Sequence, residues 1–270
     1  MDELQKYLFD LNGYLVIEDV LSADEVATLN EIFARQEYPT GASVFAYGGG
    51  AQTGPGFLSW GQPCVDLIGH PALMPVLRSR LGDCFRLERL YGIVMSNGMP
   101  KGPMHADYGA SSVIANSVAG EFYHFPINEI HSGFVVVSWN LTDSGPGHGG
   151  FSCIPGSHKS NYKLPQQIFD SSETAESAET FPHIITPYAP AGSVTLFTEA
   201  ITHGTSAWTA SHERRTLLFK YCVSQLAWGS GRAVPPTDCV LTPLQQQLFA
   251  EPAEPYRHFQ PLFEQEGEGE

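Results

Sequence analysis

His105, Ala106 and Asp107 form the stretch of this sequence best suited to gripping a metal ion. On extended backbone, positions i and i+2 project to the same side, so an imidazole and a carboxylate can hold one ion from two adjacent corners. A third ligand has to come from another strand. His203 in ITHGTSAW, 98 positions further on and just past the strand-like GSVTLFTE, is the candidate. Two histidines and one carboxylate on one face of an ion leave positions open on the other, the arrangement used by non-haem Fe(II) oxygenases. Arg214 follows His203 by eleven positions and begins the strand-like RRTLLFKYCV. A guanidinium facing the same cavity can pair bidentately with a carboxylate such as that of a keto-acid cosubstrate. Arg215, one position out of phase, faces away from Arg214 in a strand. None of these features is specific alone. The chain has 10 histidines, and His70, His124, His131, His148, His158, His183, His212 and His258 are ordinary competitors. Arg214 and Arg215 together also fit a solvated strand end.

The elements that must position these residues can be read from periodicity and punctuation. Residues 2–10 read as a short helix ended by Gly13, and YLVIEDV from Tyr14 as a strand. LSADEVATLNEIFARQ reads as a second helix, with Ser22 as N-cap and Glu25 three residues later completing a capping box. Residues 37–63 are Gly-rich and loop-like, and residues 71–81 read as a helix opened by Pro71. From about residue 85 the pattern changes to short strands. RLERLYGIVMSN, GFVVVSWNLTD, GFSCIPGSHK, HIITPYA, GSVTLFTE and RRTLLFKYCV are separated by Pro/Gly turns. A long polar loop runs from the HAD motif to about residue 132, and a second polar excursion covers 163–180. Both are lid candidates. Residues 251–270 end in EQEGEGE and read as a disordered acidic tail. Helices first and strands after, with no internal repeat, give one domain over residues 1–250. It should be mainly β, a sandwich or barrel with helices outside.

Composition narrows the function classes. At 270 residues and 42% hydrophobic, with 16 Phe, 11 Tyr, 27 Gly and 20 Pro, the chain can fill a core and favours turns over long helices. A formal charge of −15 without any Lys/Arg run excludes a nucleic-acid footprint and disfavours an anionic membrane surface. Five cysteines with no CxxC fit a reducing compartment better than a disulfide framework. The acidic N-terminus does not read as a signal peptide, and no apolar run is long enough to span a membrane. A soluble, cytoplasmic protein acting on a small molecule is the expectation.

Four segments in order carry a resemblance. They are FDLNGYLVIEDVLSADEVATL, the HAD motif at 105–107, WNLTDSGPGHGGFSCIPGSHK at 139–159 and THGTSAWTASHERRTLLFKY at 202–221. Over roughly residues 7–225 the chain resembles the phytanoyl-CoA dioxygenase family of Fe(II)/2-oxoglutarate-dependent oxygenases. The resemblance implies a double-stranded β-helix, a cupin-like jelly-roll, with flanking N-terminal helices. It implies His105, Asp107 and His203 as ligands of Fe(II), and Arg214 on the distal carboxylate of 2-oxoglutarate, with O2 as second cosubstrate. Thr205 stands where a hydroxyl contacts the cosubstrate and Trp139 where an aromatic packs against it. Tyr91, on the strand before the HAD loop, is a further candidate contact. Pro155, Gly156, Ser157 and His158 look like a structural turn. Related halogenases replace the carboxylate ligand with a small residue, so Asp107 points to hydroxylation. Candidate substrate walls are Tyr108, Phe122, Tyr123, His124, His131, Phe197, Glu199 and Trp208. The alternatives are a non-catalytic metal- or ligand-binding jelly-roll, and a metal-dependent isomerase or lyase on the same barrel.

Overall fold

The computed structural model describes residues 1–37, 44–49, 54–107, 133–166, 168 and 182–263, with 44–49 as backbone only. The chain starts with helix α1 (Glu3–Asn12), capped by Asp2 in a capping box with Gln5. Gly13 ends it at φ 81°, a left-handed conformation that any side chain resists, and a Cβ there would lie 2.5 Å from the His158 ring. Strand β1 (Tyr14–Ile17) follows, then helix α2 (Ala23–Ala34), in which Ser22 and Glu25 form the expected capping box.

The Gly-rich stretch after α2 holds more structure than its composition suggests. It contains strand β2 (Val44–Gly49), a 3-10 turn (Gly56–Trp60) and the short helix α3 (Gln62–Val65). Phe57, Leu58 and Val65 are fully buried and anchor it. Helix α4 runs Met74–Leu81, so Pro75 and not Pro71 occupies its first turn. The strands that follow are β3 (Phe85–Met95), β4 (Phe134–Asn140), β5 (Gly150–Cys153), β6 (Val194–Thr198), β7 (His203–Ser206) and β8 (Arg214–Val223). Residues 183–189, read as a strand, contribute only single bridges, Ile185 to Cys153 and Ala189 to Ser144. A short helix α5 (Pro243–Leu248), capped by Thr242, was not expected.

The strands form two sheets. The larger is six-stranded and antiparallel, in the order β1-β6-β4-β8-β3-β2; the smaller pairs β5 with β7. Residues 99–105 extend the smaller sheet along β7, through Gly102 N–H to Thr205 O at 2.8 Å and the His105–His203 bridge. Gly204 permits this approach, since a Cβ there would stand 2.8 Å from Pro103 O. Alternation divides the large sheet. Val135, Val137, Trp139, Leu217, Phe219 and Tyr221 pack toward the helices, whereas Ile93, Met95, Val136, Phe197 and Leu218 face the small sheet. The Phe151 and Phe197 rings, 4.6 Å apart, join the two sheets. This is the jelly-roll expected, with one apolar layer under the helices and a second between the sheets.

Residues 251–263, expected in the disordered tail, are ordered. Phe259 is buried, Phe263 packs on Phe85, and Leu262 N–H donates to Asp83 O. Tyr256, Phe259 and Phe263 give this stretch apolar area that the acidic ending beyond it lacks. Among the described residues no helix is long and apolar enough to cross a membrane.

Candidate functional site

The open end of the layer between the sheets is a cavity of about 400 Å³. Tyr91, Ile93, Phe151, Phe197 and Leu218 line its sides, and His105, His203, Thr205 and Arg214 reach into it. Lys101 stands on its wall as well, where burial lowers its pKa.

His105 and His203 meet because their backbones pair directly. His105 N–H donates to His203 O at 2.8 Å, and His203 N–H returns to His105 O at 2.7 Å. Directly opposed residues in an antiparallel pair project to the same face, and the two rings lie 4.5 Å apart. Each ring is held at its Nδ1, which lies 3.0 Å from Pro103 O in His105 and 2.9 Å from Ile201 O in His203. A carbonyl partner fixes the proton on Nδ1 and turns the Nε2 lone pair outward, as metal-ligating histidines require. Burial, and then the neighbouring His105, pull the His203 pKa down to about 3, so its ring is neutral.

Asp107 completes the set. Its N–H donates to Glu199 O at the end of β6, and its Oδ1 is 3.9 Å from His105 Nε2. Its Oδ2 accepts a 2.6 Å hydrogen bond from Lys220 Nζ. Burial opposes ionisation of Asp107, but Lys220 beside it holds the carboxyl well below the usual carboxylate range. Two imidazoles and a carboxylate are the donors that Fe(II) takes in a facial triad. Among the described residues no group of three or more His, Cys, Asp or Glu side chains could hold an ion as it stands.

Arg214 is 3% exposed. One terminal nitrogen, NH1, lies 3.3 Å from Thr205 Oγ1 and 3.7 Å from Met95 Sδ, while Nε is buried without a hydrogen-bond partner among the described residues. Burial lowers its pKa to about 10, still cationic at neutral pH. A buried guanidinium with donors to spare and no carboxylate paired with it among the described residues is costly, and an anion entering the cavity would satisfy it. Arg215 lies on the other face, where it pairs with Glu213 and with Asn30.

Of the other expected contacts, Tyr91 and Thr205 line the cavity. Burial raises the Tyr91 pKa to about 12, so it is a neutral hydroxyl. Trp139 is a correction. Its side chain is in the layer under the helices, 5.3 Å from His70, and Ser138 takes the cavity-facing position on β4. Among the wall candidates Phe197 lines the cavity, whereas Glu199 is buried beside Lys220 and Trp208 donates to His212 O. Tyr108, Phe122, Tyr123, His124 and His131, and most of the two lid candidates, lie outside the described residues. His158 lies against Asp10 O at 3.0 Å, which ties the IPGSH turn to α1.

Lys220 was not anticipated. It is on β8 in phase with Arg214 and Leu218, so the parity used to separate Arg214 from Arg215 would also have turned it inward.

Residues 9–216 match the family description Phytanoyl-CoA dioxygenase (PhyH). No curated protein matches the sequence. Among solved structures, HygX from Streptomyces hygroscopicus with nickel and 2-oxoglutarate bound is similar at a TM-score of 0.70 and 21% identity, over 84% of this chain and 89% of that one. HygX with nickel, 2-oxoglutarate and hygromycin B gives 0.69 and 21%, over 87% and 98%. EctD from S. alaskensis with 2-oxoglutarate and 5-hydroxyectoine gives 0.59 and 22%, over 87% and 82%. At these identities the structures establish a shared fold, while the match over most of the chain places the protein in the phytanoyl-CoA dioxygenase (PhyH) family of Fe(II)- and 2-oxoglutarate-dependent dioxygenases.

Proposed function

We propose that this enzyme hydroxylates a C–H bond of a small-molecule metabolite, consuming 2-oxoglutarate and O2 and releasing succinate and CO2. His105, Asp107 and His203 would hold Fe(II), and Arg214 would take the distal carboxylate of 2-oxoglutarate. When bound, the iron and 2-oxoglutarate supply the oxidising power. The observation that carries the reading is Arg214, a buried cation on the wall of the cavity that His105 and His203 also line, whose Nε has no hydrogen-bond partner among the described residues. A metal-dependent isomerase or lyase on the same barrel would not need it.

The chain's own groups bind, orient and exclude water. Thr205 steadies the Arg214 fork, and Tyr91 offers a neutral hydroxyl. Ile93, Phe151, Phe197 and Leu218 keep the cavity dry, which strengthens the pairing of Arg214 with a carboxylate. The presence of Asp107 favours hydroxylation over halogenation. A cavity of about 400 Å³ suits a small molecule, and the small ligands of HygX and EctD support that class. Without a basic run in the chain, a CoA thioester is disfavoured.

The test is a panel of small metabolites incubated with Fe(II), 2-oxoglutarate and O2. It is scored by succinate formation and by a product heavier by one oxygen atom. A product with that gain and stoichiometric succinate is expected. Turnover of any substrate at full rate without 2-oxoglutarate would overturn the reading.

A further inference from the structure

Lys220 has its ammonium where lysines are rarely found. The side chain is 4% exposed, and its head is walled by the rings of Trp228, Tyr91 and Phe134, at 4.7, 5.5 and 5.9 Å. It lies 2.6 Å from Asp107 Oδ2 and 2.6 Å from Glu199 Oε1. Glu199 therefore holds two parts of the arrangement, Lys220 through its carboxylate and the Asp107 N–H through its backbone oxygen. A lysine head normally stays in water on a flexible stem, whereas here both carboxylates and three rings fix it.

A carboxylate can give a metal one oxygen or two. Taking both would consume a coordination position that a chelating keto acid and O2 need. We propose that Lys220, braced by Glu199, is a positioning residue that occupies Asp107 Oδ2, so that Asp107 offers the metal Oδ1 alone. The inference rests on the reading of His105, Asp107 and His203 as Fe(II) ligands. Two features of the geometry support it. Oδ1 is the oxygen aimed at His105 Nε2, at 3.9 Å, while Oδ2 is the one held by Lys220. Two donors ~2.1 Å from one ion at right angles stand ~3 Å apart, so Oδ1 can close on an ion by about an ångström while Oδ2 keeps its hydrogen bond.

The test uses the full chain without oxygen. Wild type, Lys220→Met, Lys220→Arg and the double variant Glu199→Gln/Lys220→Met are titrated first with Fe(II) and then with 2-oxoglutarate. The affinity of each step is measured by calorimetry, and the iron-to-keto-acid charge-transfer band by absorption. The double variant removes both members of the Lys220–Glu199 pair, so it decides the matter if Lys220→Met alone fails to fold. The Met-containing variants should still take up Fe(II), but bind 2-oxoglutarate about 10-fold more weakly, equivalent to ~1.4 kcal/mol. Their band should weaken or shift, and Lys220→Arg should restore both. A folded double variant with wild-type 2-oxoglutarate affinity and an unchanged band would show that Lys220 only fills space. Loss of Fe(II) uptake itself would also overturn the proposal, because Lys220 would then govern metal affinity and not the mode of ligation. Failure of the wild type to bind Fe(II) at all would instead refute the iron reading.

Discussion

The large sheet carries two buried ionic clusters, and they are built on opposite plans. At one end Arg86 and Glu88 are ion-paired on β3, almost without exposure. Arg86 also donates to Ala250 O and Leu226 O, and Glu88 Oε1 accepts from the N–H groups of Trp228 and Gly229. The polar atoms of this pair are met by the backbone of the chain that follows β8, so the cluster works as a clasp. At the cavity end Arg214 keeps a buried Nε without a hydrogen-bond partner among the described residues, and Glu199 lies 2.6 Å from Lys220. Burial, and then Asp107, push the Glu199 carboxyl up to about 8. A closed cluster spends its donors on the fold, and an open one holds them for a ligand.

The comparison breaks if the two clusters respond alike to truncation. Glu88→Ala should destabilise the chain by about 3–5 kcal/mol, because it leaves Arg86 buried and unpaired. In a domain of this size that lowers the melting temperature by roughly 10 °C, readable by differential scanning calorimetry. A melting temperature within a degree of wild type would show that the clasp is idle. Arg214→Met should act oppositely. The protein without cosubstrate should melt no lower than wild type, since an unsatisfied buried charge has been removed. The KM for 2-oxoglutarate should rise about 100-fold, the worth of one or two charge-assisted hydrogen bonds. An unchanged KM would remove Arg214 from the cosubstrate site.

The same contrast explains what the sequence disclosed. His105, Asp107, His203 and Arg214 were legible because their types are uncommon inside a core and their spacing matched strand parity. Ser22 and Glu25 marked the second helix for a local reason, since a Ser with Glu three residues on satisfies orphan N–H groups wherever it occurs. Trp139 was misplaced because alternation along β4 says that neighbours face opposite ways without saying which face has the cavity. Settling that required the pairing of β4 with β6 and β8. Arg86 and Glu88 gave no signal of a clasp, as their backbone partners lie some 140 to 160 positions away. The 37–63 stretch was read as loop from its glycines, yet Phe57 and Phe219, 5.2 Å apart, hold it to the sheet.

His158 tests the closed plan by pH. Burial, outweighing its contact with Asp10 O, pulls its pKa down to about 4 from 6.5. The unfolded chain therefore takes up the proton first as pH falls. The stability is whole above about 6.5 and is lost progressively toward 4, with roughly 2 kcal/mol gone at pH 5 from this group. Urea unfolding at pH 7 and pH 5 measures the loss, and His158→Gln should reduce it by about that amount. An equal pH dependence in both proteins would mean that His158 is not buried as a neutral ring.

The smallest effect belongs to Thr205, and it probes how open the Arg214 end is. Its Oγ1 is 3.3 Å from an Arg214 terminal nitrogen, a long bond between a neutral acceptor and a charged donor. Thr205→Val keeps the shape and removes the acceptor. A bond of this kind contributes about 0.5–1.5 kcal/mol, so the KM for 2-oxoglutarate should rise roughly threefold if Thr205 acts only by steadying the guanidinium. In that case the Val substitution should add nothing to Arg214→Met, because the group it steadies has gone. A further loss in the double variant would show that the hydroxyl reaches the cosubstrate itself. The open cluster would then include a neutral donor beside its charge, and carboxylate recognition would be shared between β7 and β8.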